Sequence, residues 1–191
     1  MEKRIDDDHI LVRSAAARAA KRLGLEVAAS RKRPGTIATL KLDEVLERVL
    51  ETKGSVKIGQ ALFERQGCTK CHTTSKAQTP RGPLLAEIAT RYKRPDLVKS
   101  IVQPSATIAQ GFATNFFVLR SGATHQGFVT REAEKEVEIR TADGTPVTIE
   151  KSLIVQRGTA AEVSIMPEKL VDDLTADELA SLVAFLESLG K

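Results

Sequence analysis

Two cysteines and a histidine lie within five residues, in the run Cys68-Thr69-Lys70-Cys71-His72. Two thiols three positions apart reach the two vinyl groups on one edge of a porphyrin, and a histidine directly after them lies under the iron as the proximal ligand. The pattern therefore predicts covalent attachment of haem c, an iron cofactor, through Cys68 and Cys71, with His72 as a metal ligand.

Two other chemistries use a Cys-x-x-Cys pair. A thioredoxin-like redox pair follows a strand in a βαβ unit, whereas the helical pattern KIGQALFERQG precedes this motif. A zinc site needs further ligands, and the sequence holds no third cysteine and only His9 and His125 as distant histidines. Both chemistries stay as alternatives to haem.

A low-spin electron carrier needs a second axial ligand. Apart from the initiator, Met166 is the only methionine, and Pro167 directly follows it in the run SIMPEKL. A thioether on the iron would give His/Met ligation and a raised reduction potential, so we predict Met166 as the distal metal ligand. The alternative role of Met166 is to fill a gap in the core, and His125 is the reserve ligand.

Other residues are expected around the cofactor. A proximal imidazole usually donates its free N–H to a carbonyl, and Gly82-Pro83, ten residues after His72, offers a rigid one. Phe63 precedes the motif on a predicted helix and is expected to pack by the porphyrin edge. Gly59, on the same helix, would allow the C-terminal helix to cross closely. Ordinary helix packing is the alternative role for both residues.

The elements that must position these residues are mainly helical, with a strand-rich insertion. Apolar residues at helical spacing predict helices at 8–29, 42–52, 57–67, 84–91, 95–103 and 175–189. Thr175 and Glu178 form a capping box at the start of the last helix. Short β-branched, alternating runs separated by turn residues predict strands at 115–120, 124–131, 136–141, 145–149 and 153–156. Five such strands suggest a small antiparallel barrel.

Charge is unevenly spread along the chain. The segment 57–110 holds nine Lys or Arg against three Asp or Glu, whereas 159–191 holds two against seven. The basic segment is therefore either a solvated face or a docking patch for an acidic redox partner. The candidate docking residues are Lys70, Lys76, Arg81, Arg91, Lys93 and Arg94.

Composition excludes several classes of protein. No apolar run reaches the roughly 18 residues of a membrane span. The segment 111–158 looks like an SH3/Sm-type barrel, but its six basic residues are balanced by six acidic ones, which disfavours nucleic acid as a partner. Phe112, Phe116, Phe117 and Phe128 are expected in the barrel core. The start, MEKRIDDDHILV, lacks the apolar stretch and cleavage site of a secretory signal.

The order of these motifs resembles a known family. Gly59, Leu62 and Phe63 before CxxCH are followed by GPxL at Gly82, by SIxxPS at Ser100, by MP at Met166 and by LTxxELxxLVAFLxSL. Over about 57–191 this order resembles the haem-binding domain of the Pirellula/Verrucomicrobium type. The resemblance implies a class I cytochrome c fold with a β insertion between the GPxL helices and the methionine loop.

The resemblance also implies an organisation. Residues 1–56 are expected to be a helical N-terminal segment whose VRSAAARAAKRLG run is a HEAT-like fragment. The haem domain is expected at 57–110 and 159–191, interrupted by the barrel at 111–158. Such domains commonly end a long secreted chain that carries a dehydrogenase-like propeller and HEAT repeats, so the missing signal is expected to reflect truncation and the location to be periplasmic or otherwise extracytoplasmic.

The sequence therefore predicts a monohaem cytochrome c domain that carries single electrons between redox partners, one of which is a separate protein or a fused dehydrogenase domain. No nucleophile and base occur in a catalytic pattern, so we do not expect an enzyme. The alternative function is a protein-interaction module, built from the HEAT-like helices and the barrel, in which the haem is structural or sensory.

Overall fold

A computed structural model describes residues 35–78 and 82–190. The predicted helix at 8–29 and the HEAT-like fragment lie outside the described residues, as does Arg81. Contacts divide the described chain into two compact units. One unit, here called the helical unit, contains 35–67 and Val171–Ser188. The other, here called the sheet unit, contains 68–170 and the two residues that follow Ser188.

The helical unit consists of α1 (Leu42–Glu51), α2 (Val56–Arg65) and α5 (Ala176–Ser188). Each begins and ends within two residues of its predicted bounds. The predicted capping box of α5 is present, because the Thr175 N–H donates to Glu178 Oε2 at 2.9 Å and the Glu178 N–H donates to Thr175 Oγ1 at 3.3 Å. These bonds satisfy two N–H groups that a helix start leaves without partners.

A glycine allows α2 and α5 to cross closely. A Cβ built on Gly59 would lie 1.9 Å from the backbone oxygen of Ser181, a distance no real contact shows. The close crossing predicted for Gly59 is therefore confirmed. Beside it, the rings of Phe63 and Phe185 lie with centroids 5.4 Å apart in a tilted arrangement, which aromatic pairs favour.

The sheet unit begins with the Cys68–Lys70 turn and the short helices α3 (Ile88–Arg91) and α4 (Arg94–Val102). Five antiparallel strands follow. Their bounds are β1 Ala113–Leu119, β2 Thr124–Glu132, β3 Glu136–Arg140, β4 Pro146–Glu150 and β5 Ile154–Ser164. All five predicted strands are thus present, and β5 extends eight residues beyond its predicted end.

The sheet is open. Its strand order is β4-β3-β2-β1-β5, so β4 and β5 are edges that do not pair with each other. The fold is therefore a set of helices plus a five-stranded antiparallel sheet, and the predicted SH3/Sm-like closure is not confirmed. Phe117 is fully buried among Val137, Ile139 and Ile149. Phe128 is also buried and packs on Phe112 at 5.3 Å between centroids, whereas Phe112 and Phe116 are only half-buried.

Within the described residues, no helix has the length and hydropathy that a membrane crossing requires.

Candidate haem-attachment site

A tight turn brings the two thiols and the imidazole together. α2 ends at Arg65, and Gly67, with φ of 76°, terminates the helix in the left-handed region that glycine favours. The chain continues into the Cys68–Lys70 3₁₀ turn. The N–H groups of Cys71 and His72 both donate to the Cys68 carbonyl, at 3.3 and 2.9 Å. One carbonyl therefore holds all three chemical groups of the motif in a single turn.

The His72 ring is oriented by a backbone carbonyl. Its Nδ1 lies 2.9 Å from the Pro83 oxygen, as the sequence predicted. Since a carbonyl only accepts, Nδ1 carries the proton and Nε2 keeps its lone pair free for a metal. Burial lowers the pKa of His72, although the bond to Pro83 acts in the opposite direction. A neutral imidazole with a free Nε2 is the form that binds iron.

The loop that carries Pro83 packs closely against the motif. A Cβ built on Gly82 would lie 2.6 Å from the Cys71 carbonyl oxygen, so only glycine fits at this approach. Thr73 forms a parallel bridge with Leu84, and the Leu85 N–H donates to the Thr73 carbonyl at 2.9 Å. Gly82 and Pro83 are thus held beside the motif by backbone contacts on both sides of His72.

The thiol environments do not fit a redox pair. Burial raises the pKa of Cys68 to about 11. Burial also raises the pKa of Cys71, against the lowering effect of the Arg140 charge. Reactive Cys-x-x-Cys thiols have lowered pKa values, usually at the start of a helix. Here both pKa values are raised, and a 3₁₀ turn after a helix carries the thiols, so the arrangement argues against the thioredoxin-like alternative.

Zinc is also disfavoured by the arrangement of donors. Across the described ranges, no group of three or more His, Cys, Asp or Glu side chains lies close enough together to hold a metal ion. The motif therefore supplies at most two thiols and one imidazole, and structural zinc sites need four protein ligands.

Buried polar atoms beside the motif also fit a bound group. In the described part of the chain, three buried side-chain polar atoms have no hydrogen-bond partner: Thr73 Oγ1, Thr114 Oγ1 and Arg140 Nε. Thr73 directly follows His72, and the charge of Arg140 acts on Cys71. Since such groups are rarely left without partners, Thr73 and Arg140 are compatible with a bound group at the motif.

Met166 lies just after β5, in the sheet unit with His72. It is half-buried, and its N–H donates to Ser164 Oγ at 3.2 Å. The Ser164 N–H in turn donates to Ser105 Oγ at 3.3 Å. Three residues on, Lys169 has φ of 65°, a left-handed conformation that is uncommon outside glycine. The loop of Met166 is therefore tied to the end of the sheet and to the segment after α4.

Two further residues were predicted near the cofactor, Phe63 and His125. Phe63 is buried in the helical unit, where it packs on Phe185, and its cofactor role stays a prediction. His125 lies on β2 opposite Phe117, beside the β1–β2 turn. That turn is at the other end of the sheet from Ser164, so the reserve ligand is not on the end that carries Met166.

Sequence reasoning missed a contact from the insertion. Gly144, in the turn between β3 and β4, has φ of 85°, and a Cβ built there would lie 2.8 Å from the Lys70 carbonyl oxygen. Arg140 Nη1 donates to the Gly144 carbonyl at 2.7 Å. The run ADG indicates the turn. The contact of Gly144 with Lys70, more than 70 positions earlier, has no local signal in the sequence.

The basic residues proposed for docking have different surroundings. Lys76 pairs with Glu87 at 2.7 Å on the surface, and Arg91 Nη2 donates to the Leu84 carbonyl at 3.0 Å. Lys70 is exposed at the centre of the motif. Exposed ion pairs contribute little to stability, so the pair with Glu87 does not prevent Lys76 from contacting a partner. Lys76 and Lys70 both remain docking candidates.

Comparison with known proteins agrees with this geometry. Residues 56–138 match the cytochrome c family, which is less than half of the 191-residue chain. No curated protein matches the chain. Cytochrome c domains bind covalently attached haem c and transfer electrons through its iron. Residues 56–138 are therefore a cytochrome c-like domain, with haem c as its cofactor and electron transfer as its general role.

Proposed function

We propose that the chain is a monohaem c-type cytochrome that carries single electrons, with Cys68 and Cys71 as thioether anchors, His72 as the proximal ligand and Met166 as the distal ligand. The observation that carries the proposal is the hydrogen bond between His72 Nδ1 and the Pro83 carbonyl, at 2.9 Å, inside a CxxCH turn. It leaves Nε2 as the only ring nitrogen available to a metal.

The residues have distinct tasks. The bound haem supplies reversible one-electron chemistry at its iron. Cys68 and Cys71 would hold its edge through thioether bonds. Pro83 keeps the His72 ring in one tautomer and one orientation. Met166 would supply the thioether that favours ferrous iron and raises the potential.

The proposed organisation follows the family resemblance. The haem domain consists of 57–110 and 159–191, and 111–158 is an insertion in it. The resemblance to domains of the Pirellula/Verrucomicrobium type also favours a dehydrogenase domain as a source of the electrons. Cytochrome c domains are typically extracytoplasmic, and we place this one in the periplasm or outside the cell.

The proposed partner is an acidic redox protein or domain that docks on the basic segment. The motif turn presents Lys70 to solvent, and the loop after it presents Lys76. A positive surface beside the attachment edge steers an acidic partner to the place where electrons leave and enter.

Attachment is tested by replacing the thiols. The full chain, produced together with a haem-attachment system, is compared with the Cys68→Ala/Cys71→Ala double variant on a denaturing gel stained for haem. We expect stain in the wild type and none in the double variant. Ser75→Ala, an exposed change in the next loop, is the matched control and should keep the stain. Haem stain that persists without both thiols contradicts the proposal.

Ligation and function are tested by spectra and potential. The oxidised wild type should show the weak sulfur-to-iron band of His/Met haem, together with a reversible couple. Met166→Ala should remove the band and lower the potential, because a thioether favours ferrous iron. His125→Ala should change neither. A band that survives in Met166→Ala excludes this ligand, and a haem that shows no reversible couple favours a structural role.

A further inference from the structure

The five-stranded sheet makes two separate contacts that bear on the cofactor. The strand register aligns Arg140 on β3 with Phe128 on β2, and the adjoining Gly127 with Asn115 on β1. Two residues before Asn115, Ala113 pairs with Ser164 on β5. The row of Arg140 therefore lies close to the row of Ser164. Because β3 runs in the same direction as β1 and β5 runs in the opposite direction, the β3–β4 turn and the last residue of β5 extend towards opposite ends of the sheet.

The first contact is with the attachment turn. Gly144 approaches Lys70 so closely that an added Cβ would lie 2.8 Å from the Lys70 carbonyl oxygen. The turn that presents Gly144 is stiff, because Arg140 Nη1 donates to its carbonyl at 2.7 Å and the Thr145 N–H donates to Thr141 Oγ1 at 3.2 Å. The β3–β4 turn therefore packs against Lys70, which lies between the two cysteines.

The second contact is with the methionine loop. The Met166 N–H donates to Ser164 Oγ, and the Ser164 N–H donates to Ser105 Oγ. Between Ala113 and its neighbour Thr114 the pairing with β5 shifts from Ser164 to Ala160, so the ladder is irregular at this point, as it is at a bulge. Such bulges re-aim the residues that follow them.

We propose that the inserted sheet is a frame that fixes the Met166 loop relative to the attachment turn, with Gly144, Ser105 and Ser164 as positioning residues for the axial pair. This rests on the proposed His/Met ligation. A paired sheet with a buried core deforms little, so both loops keep one separation in the two oxidation states. The role of the insertion is then to set the strength of the bond from Met166 to the iron.

The test measures how easily an added ligand displaces Met166 in the haem-loaded full chain. Imidazole is titrated into the oxidised protein, and loss of the sulfur-to-iron band gives its apparent affinity. We expect Ser164→Ala to bind imidazole about fivefold more tightly than the wild type, the change that corresponds to one lost hydrogen bond of about 1 kcal/mol. Ser164→Thr keeps the hydroxyl and should restore the wild-type affinity.

Gly144→Ala has a matched control in Gly122→Ala. Both glycines have nearly the same positive φ, 85° and 83°, but a Cβ on Gly122, in the β1–β2 turn, meets no atom within 4 Å. Both substitutions therefore strain a turn, and only Gly144→Ala pushes on the attachment turn. We expect tighter imidazole binding in Gly144→Ala alone, after thermal unfolding shows that both variants are folded.

The outcomes separate the two levels of the proposal. If Met166→Ala removes the band while Ser164→Ala and Gly144→Ala bind imidazole as Gly122→Ala does, the frame is overturned and His/Met ligation stands. If Met166→Ala keeps the band and the wild-type imidazole affinity, the ligation fails and the frame fails with it. Tighter imidazole binding in Ser164→Ala and Gly144→Ala supports the frame, provided that Ser164→Thr and Gly122→Ala bind imidazole as the wild type does.

Discussion

Replacement of Gly59 by alanine has two opposite effects on the free energy of unfolding. Alanine is the better helix former and alone would stabilise the interior of α2 by about 1 kcal/mol. The added Cβ, however, would lie 1.9 Å from the Ser181 oxygen, whereas ordinary contact begins at 3.4 Å. α2 and α5 would have to separate by about 1.5 Å, because the clash is with a helix backbone that cannot rotate out of the way as a side chain can.

The steric effect should be larger. Overpacking of a tight core costs about 1 to 3 kcal/mol, and this contact is against helix backbone, so we expect Gly59→Ala to destabilise the protein by about 3 kcal/mol. For a chain of 191 residues that corresponds to a fall in Tm of about 6 to 12 °C. The separation would also loosen the contact between Phe63 and Phe185 in the same interface.

The assay is urea and thermal unfolding of the haem-loaded chain, followed by far-UV circular dichroism. Gln60→Ala is the control, because Gln60 is the exposed neighbour of Gly59 on the same helix and its replacement should change the stability by less than about 0.5 kcal/mol. A Gly59→Ala protein that is as stable as the wild type, or more stable, would refute the close crossing as the reason for this glycine.

Three further predictions concern the sheet unit. Gly82→Ala should reduce the yield of covalent haem on a stained gel, because its Cβ would lie 2.6 Å from the carbonyl of the second cysteine, and an unchanged yield would contradict that approach. Arg157 and Lys151 lower the pKa of Glu132 to about 2. The stabilising contribution of the Glu132 carboxylate is therefore present above its usual pKa and is lost as the pH falls towards 2. NMR titration of Glu132 should show the lowered pKa, and Arg157→Ala should move it upward. Reversing the charge of Lys70 and Lys76 together should weaken the salt dependence of electron transfer to the native partner, and an unchanged salt dependence would exclude this face as the docking surface.

Much of the site was predictable because its signals are local. The spacing of Cys68, Cys71 and His72 is within one turn, and Pro83 is a rigid carbonyl a short loop away. Helical periodicity gave α1, α2 and α5 almost to the residue, since a buried stripe repeats at fixed spacing. The close crossing at Gly59 also followed, because a small residue on the apolar side of a helix has few other uses.

Long-range pairing explains what was missed. The part of β5 after Gln156 reads RGTAAE, which has weak strand propensity. It pairs because β1 lies beside it and because Gly158 makes room for Phe116, whose ring atom would lie 2.3 Å from an added Cβ. The openness of the sheet and the contact of Gly144 with Lys70 depend in the same way on distant residues, and alternation along one strand does not encode them.

Burial of the attachment thiols has a consequence for the timing of maturation. With a pKa of about 11, about one Cys68 side chain in ten thousand is a thiolate at pH 7, a hundredfold fewer than at the ordinary value of 9.0. Disulfide exchange proceeds through the thiolate, so a chain folded in this way is slow to oxidise. Slow oxidation of the folded turn would leave both thiols reduced until the cofactor is attached.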